Sequence, residues 1–224
     1  MKKTLTISAI ALTLAGCKVD MSTDVMLSTL NEPTKEIISN VAVEVASCTS
    51  YEDSRKESDS LIRIKEKLPT IFNGAKFVEC YKKKMDSFAI FTVPVFIGKD
   101  EPAGDYNLWV HGTERVPLII SASKKFRESL HNFKKREISK LNINSFLNVK
   151  NDTNNVLKFR MTSAYLGDIP VSNISYIHTF KPNDLYSIKL SNVATDALLR
   201  KDSAGQLGVF FAKDTYYDPT ETQK

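Results

Sequence analysis

Phe88-Ala89-Ile90-Phe91-Thr92-Val93-Pro94-Val95-Phe96-Ile97 is the stretch on which the fold turns. Its apolar content is almost continuous and too short for a typical core helix, and β-branched and aromatic residues dominate it, so it reads as a strand in the interior of a sheet. Pro94 has no N–H to give a ladder, which argues against regular pairing through the middle and marks a bulge or an edge. Upstream, Ile37 to Ala46 alternates Val41, Val43 and Val45 with Ala42, Glu44 and Ala46, a second strand. Between the two, Tyr51 to Leu68 is expected to be a helix. Leu61, Ile64 and Leu68 share one face, Glu52/Lys56 and Asp59/Arg63 pair four apart, and Pro69 supplies the stop. Asn73-Gly74 then makes a turn into a strand over Ala75 to Tyr81.

Downstream, Gly98 to Gly104 is a loop, and Tyr106 to His111 and Val116 to Ser121 are short strands. A second helix starts near Ser123, with Ser121 or Ser123 as cap and Phe126, Leu130 and Phe133 on one face. Beyond Lys140 the runs Ile143–Val149, Val156–Tyr165, Val171–Phe180, Leu185–Leu190 and Gln206–Ala212 read as strands parted by turn-rich segments. Val193 to Lys201 is a candidate short helix. The pattern predicts an α+β fold: a mostly antiparallel sheet with two main helices packed on one side and a strand-rich C-terminal half. The expected divisions are a lipidated N-terminus and tether over 17–32, an α+β domain over 33–217 with a soft boundary near 140, and a polar tail over 218–224. With 42% hydrophobic and 25% charged residues, most of the 224-residue chain should fold rather than stay disordered.

The first residues carry a different message. Lys2 and Lys3 precede an apolar run, Leu5 to Leu14, which is shorter than the roughly 20 residues a bilayer-spanning helix needs. Leu14-Ala15-Gly16-Cys17 follows, and this stretch resembles the signal peptide and lipobox of bacterial lipoproteins. The resemblance implies lipid on the Cys17 thiol, palmitate included, with cleavage before Cys17 and acylation of its new amine. It implies a membrane partner through that lipid. Lys18 stands where an aspartate would favour inner-membrane retention, so in a Gram-negative host the resemblance points to the periplasmic side of the outer membrane.

With Cys17 assigned to lipid, Cys48 and Cys80 remain, an even pair in an oxidising compartment, and a disulfide between them is expected. Two unpaired core thiols are the alternative. No CxxC spacing or neighbouring histidine supports a metal, and no cofactor is implied.

Three histidines, no HExxH, no phosphate loop and no GxSxG elbow argue against an enzyme. Ser121, Ser123 and His131 lie near one another in sequence without the spacing that identifies a triad. Trp109 and His111, two apart on a strand, can line a pocket, although core or edge packing is the commoner role for such a pair. From Lys124 to Lys140, seven basic residues (Lys124, Lys125, Arg127, Lys134, Lys135, Arg136, Lys140) oppose Glu128 and Glu137, a net +5. Lys82-Lys83-Lys84 is a second run. The first six of those helix residues are candidate contacts for anionic head groups or an acidic envelope protein, against the alternative of an ordinary solvated helix face. Nucleic acid is rejected on the expected address. The resulting expectation is an anchored envelope lipoprotein acting as a binding, structural or interaction module. A phage-related or envelope-remodelling accessory and an unrecognised periplasmic hydrolase are the alternatives.

Overall fold

A computed structural model describes residues 18–136, 141–171 and 174–214. In chain order the elements are β1 (Lys18–Met26), a 3-10 turn (Leu27–Asn31), β2 (Lys35–Val45), α1 (Asp59–Ile71), β3 (Lys76–Lys83), β4 (Asp86–Ile97), β5 (Leu108–His111), β6 (Leu118–Ala122) and α2 (Lys124–Arg136). They continue as β7 (Asn142–Lys150), β8 (Leu157–Met161), β9 (Ala164–Leu166), β10 (Ile169–Val171), β11 (His178–Phe180), β12 (Leu185–Leu190), α3 (Asn192–Leu199) and β13 (Gln206–Ala212). The strands form one sheet, ordered β10-β9-β12-β7-β1-β2-β4-β5-β6-β13-β8-β11, with β3 also paired to β4.

β4 is the branch point. One edge pairs with β2 from Lys35↔Ile97 to Val45↔Ser87. The other edge is shared: β3 occupies it up to Thr92 and β5 takes it over at Phe96. Pro94 falls in the gap between them. Its carbonyl accepts a hydrogen bond from Asn107 Nδ2 (3.1 Å), and in a strand a residue's N–H points to the same side as its C=O. The donor that proline lacks therefore faces the fork, where no ladder asks for it. Ser87, Ala89, Phe91, Val93, Val95 and Ile97 are all buried on one face of β4.

The expected fold class needs correction. The sheet is a large curled one of mixed direction rather than a mostly antiparallel one. β1 runs parallel to β7 from Lys18↔Asn142 to Met26↔Lys150, and β5 runs parallel to β4. Among the described residues there are three separate helices, not two main ones, because Asn192–Leu199 forms a helix in its own right, capped by the Ser191 hydroxyl. Turn residues announce only antiparallel neighbours, whereas the β1–β7 pairing joins residues more than a hundred positions apart. Residues 18–26, expected to lie in the tether, are a central strand with Val19, Met21 and Val25 buried.

The curl also divides two expected strands. Val156–Tyr165 is β8 and β9, which lie near opposite ends of the strand order although only two residues separate them. Ser163, with φ 58, makes the corner through which the chain passes from one end of the sheet to the other. Val171–Phe180 is likewise split, between β10 and β11. The two ends meet in an aromatic cluster: Phe180 stacks on Tyr186 (4.2 Å between centroids) and Phe159 on Phe210 (3.8 Å). The Tyr186 hydroxyl donates to the Thr179 carbonyl (2.9 Å), which ties β12 to β11. One contiguous apolar core runs from Val19 and Phe91 to Phe159 and Phe210.

α1 starts and ends later than expected. Thr49 bridges to Glu57, Ser50 N–H donates to the Lys56 carbonyl, and Ser58 caps a helix that starts at Asp59. Pro69 lies inside the last turn. It removes one late helix bond, but buried Leu68, Ile71 and Phe72 hold that turn against the core, and Phe72 N–H still reaches the Leu68 carbonyl (2.9 Å).

Candidate functional site at the chain-entry end of the sheet

The chain enters the described residues at Lys18, the first residue of β1. A single row of paired residues crosses the sheet beside it: Val19 opposite Val43, Val43 opposite Ala89, and Ala89 opposite Cys80. Three strand spacings separate β1 from β3 along this row, about 14 Å. Past the row, in the direction from which the chain arrives, β3 and β4 continue as a hairpin. Lys82 faces Ser87, Lys83 faces Asp86, and Lys84-Met85 makes the turn. From Cys80 to the tip this is about 13 Å of strand. Lys82, Lys83, Lys84 and Asp86 are exposed, and Met85 is 88% exposed. Lys84 has φ 57, a left-handed position that glycine or asparagine usually fills and that costs an ordinary side chain roughly 1–2 kcal/mol.

Two further features converge on this end. Cys48 and Cys80 are joined by a disulfide, which fastens the segment after β2 to β3 at that row. The last turn of α2 carries exposed Lys134 and Lys135, and only residues 137–140 separate the helix from Leu141 and from Asn142, the parallel partner of Lys18.

The expected basic face of α2 is not continuous. Lys124 is exposed, and Lys125 is exposed but ion-paired with Asp105. Arg127 is only 8% exposed and is no surface contact. Its Nε donates to the Ala122 carbonyl (3.3 Å), and its Nη1 to the carbonyls of Arg200 (3.2 Å), Lys201 (3.0 Å) and Ser203. A buried guanidinium has five N–H donors to satisfy, and the carbonyls that follow α3 supply acceptors at the negative end of that helix. Helical spacing put Arg127 among its basic neighbours in sequence; the chain return after α3 drew it inward. No sequence signal marked this role. Arg136 belongs to the final residue position of α2.

Trp109 and His111 are buried and packed on each other, with centroids 3.6 Å apart and planes 11° from parallel. Trp109 Nε1 donates to the Gly98 carbonyl (2.9 Å), and His111 Nε2 hydrogen-bonds Ser121 Oγ (2.8 Å). The two rings cover one another's faces, the geometry of a packed pair. Burial pushes the His111 imidazole down to about 4. A serine–histidine pair is therefore present, though not the one considered from sequence. Ser123 instead caps α2, its hydroxyl accepting from Phe126 N–H (3.1 Å) and donating to the Tyr106 carbonyl. Ser121 is 2% exposed, and an imidazole that weakly basic is a poor general base at neutral pH. His178, also held below the usual histidine range by burial, stacks on Phe159.

A small cavity of about 120 Å³ lies between the end of α1 and the start of α2, beside Asn73, Tyr106 and Asn107. A shallower depression next to it is lined by Glu101, Asp105, Lys124 and Lys125. Among the described residues no group of three or more His, Cys, Asp or Glu side chains is placed to hold a metal ion. No helix among them is long and apolar enough to cross a membrane. Met1–Cys17, with the signal stretch and the lipidation candidate Cys17, lies outside the described residues, as do Glu137, Lys140 and the 218–224 tail.

No curated protein matches the chain, and no solved structure does. A family model described as "Domain of unknown function (DUF7424)" matches residues 19–213, from the second residue of β1 to just past β13, and the chain belongs to that family.

Proposed function

We propose that this protein is an envelope lipoprotein anchored through Cys17, whose curled sheet acts as a binding, structural or interaction module held against the membrane surface. The observation that carries the reading is the join between the two parts of the sequence. The Leu14-Ala15-Gly16-Cys17 motif is followed at once by Lys18, the first residue of a central strand. Acylated Cys17 would thus stand at the edge of the folded domain with no linker, and two or more acyl chains suffice for stable anchoring. The Cys48–Cys80 disulfide suits an oxidising compartment. Lys18 after Cys17 supports the outer membrane, periplasmic side, in a Gram-negative host. A non-catalytic role is supported by the imidazole of His111, buried and stacked on Trp109, and by that of His178, half-buried and stacked on Phe159.

Growth with a labelled fatty acid, followed by intact mass measurement, tests the reading. The wild-type chain should begin at Cys17, carry the label and fractionate with membranes, while Cys17→Ala carries none. A wild-type product that still begins at Met1 without label would remove the anchor. Crosslinking in the native envelope, wild type against Cys17→Ala, then identifies what the module holds.

A further inference from the structure

We infer that the β3–β4 hairpin tip, Lys82 to Met85, is a second membrane contact, resting on the anionic phospholipid head groups of the leaflet that holds the Cys17 acyl chains. The inference rests on the lipoprotein reading and adds to it the surface that faces the bilayer.

Three observations carry it. The first is direction: past the Val19–Val43–Ala89–Cys80 row, the hairpin projects toward the side from which the chain enters β1, four residues beyond Cys80, whereas β1 extends one residue, Lys18, beyond Val19. A lipid attached just before Lys18 therefore puts the tip on the side of the domain that faces the anchoring leaflet. The second is charge: Lys82, Lys83 and Lys84 against Asp86 leave +2 on an exposed tip, and exposed Lys134 and Lys135 on the last turn of α2 lead back to the same end. The third is the side chain at the outermost position. Met85 is 88% exposed beside three lysines, an apolar group that water does not favour and the head-group region accepts. Lys84 holds the left-handed turn position that a glycine would fill with less strain, so the tip keeps its charge where the backbone disfavours a side chain. A flexible anchor would let the domain tumble. Two fixed points about 14 Å apart across the sheet would instead set its orientation.

The test uses the lipidated full-length mature protein, isolated from envelopes and reconstituted into phosphatidylcholine vesicles with or without phosphatidylglycerol. A photoreactive residue is placed at position 85, and, as control, at position 100, beyond the opposite end of β4. Phospholipid adducts are counted by mass. Position 85 should give several-fold more adduct than position 100, more with phosphatidylglycerol than without. The K82E/K83E/K84E variant should cut the yield at 85 by at least about fivefold at low salt, the factor one lysine contributes near an anionic leaflet. Retention of the Cys48–Cys80 disulfide and an unchanged melting temperature show that this variant is folded. Equal yields at 85 and 100 on protein that carries fatty acid would overturn the hairpin contact and leave the anchor standing. Adducts to another protein at 85, made in whole envelopes in place of lipid adducts, would overturn it in favour of a protein partner. Absence of fatty acid on Cys17 would instead overturn the reading beneath it.

Discussion

Asn107 and Asn73 bridge each other in both directions: Asn73 N–H donates to Asn107 Oδ1, and Asn107 Nδ2 donates to the Asn73 carbonyl, each at 2.8 Å. The same Nδ2 reaches Pro94, so one side chain, 2% exposed, seals the point where β3 leaves the edge of β4 and β5 joins it. Unpaired backbone groups at a buried fork would cost 1–3 kcal/mol apiece. Asn107→Ala should destabilise the protein by about 2–4 kcal/mol in urea unfolding. Asn107→Asp should cost at least as much near neutral pH, because a carboxylate would face two carbonyls. A loss below about 0.5 kcal/mol for Asn107→Ala would show that the fork closes without it.

Arg127 and the lysines that flank it in sequence should respond to mutation in opposite ways. Arg127→Met removes a buried donor from the carbonyls of Ala122, Arg200, Lys201 and Ser203 and should cost about 2–4 kcal/mol. Lys134→Ala and Lys135→Ala, on an exposed turn, should stay within about 0.5 kcal/mol. Thermal melts of the three variants separate the buried member of the basic run from its surface members.

His111 should give the acid limb of the stability curve part of its slope. Its ordinary value is 6.5 and burial lowers it to about 4 in the folded chain. Above pH 6.5 neither state takes the proton, and the full stability is present. As pH falls from 6.5 toward 4, the unfolded chain binds a proton that the folded imidazole refuses, so stability is lost, by up to about 3 kcal/mol before the curve levels. His178 shifts in the same direction and adds to that slope. His111→Gln, which keeps a polar group for Ser121, should lower stability at neutral pH through lost stacking on Trp109 and flatten the curve between pH 6.5 and 4. An unchanged slope in that variant would reject the assignment.

The Cys48–Cys80 disulfide closes a loop with a sequence separation of 32, worth about 3–4 kcal/mol in the chain-entropy description. Replacing both with serine should lower the melting temperature by on the order of 10 °C. The loosened region should be the segment between β2 and α1, detected as faster amide exchange at Thr49 to Glu57, while β1 and β7 keep their protection.

Much of the fold was legible locally. Alternation located β2, β7, β12 and β13 to within a few residues, an almost unbroken apolar run located β4, and Ser123 marked the start of α2 by its capping chemistry. β1 was legible too: Val19, Met21, Thr23 and Val25 alternate with polar residues, but their place directly after Leu14-Ala15-Gly16-Cys17, which resembles a lipobox, invited the reading of a tether. Pro69 misled because a proline stops a helix on its own, whereas here tertiary burial of Leu68 and Ile71 outweighs one missing hydrogen bond. At the candidate site, the lysines of the hairpin were visible as a run. Their position relative to Lys18 was not, since it depends on register across four strands.

The chain by itself determined what each segment could become. Apolar alternation, caps and turn residues act over a few positions, which is why they can be read along the chain. Only the tertiary structure decided that β1 runs parallel to β7, that Ser163 carries the chain from one end of the sheet to the other, that Arg127 turns inward, and that the Lys82–Met85 tip lies on the Lys18 side of the sheet. The physical reason is that strand pairing is made of backbone hydrogen bonds common to every residue. Which strands meet is settled by the burial of the whole apolar set at once.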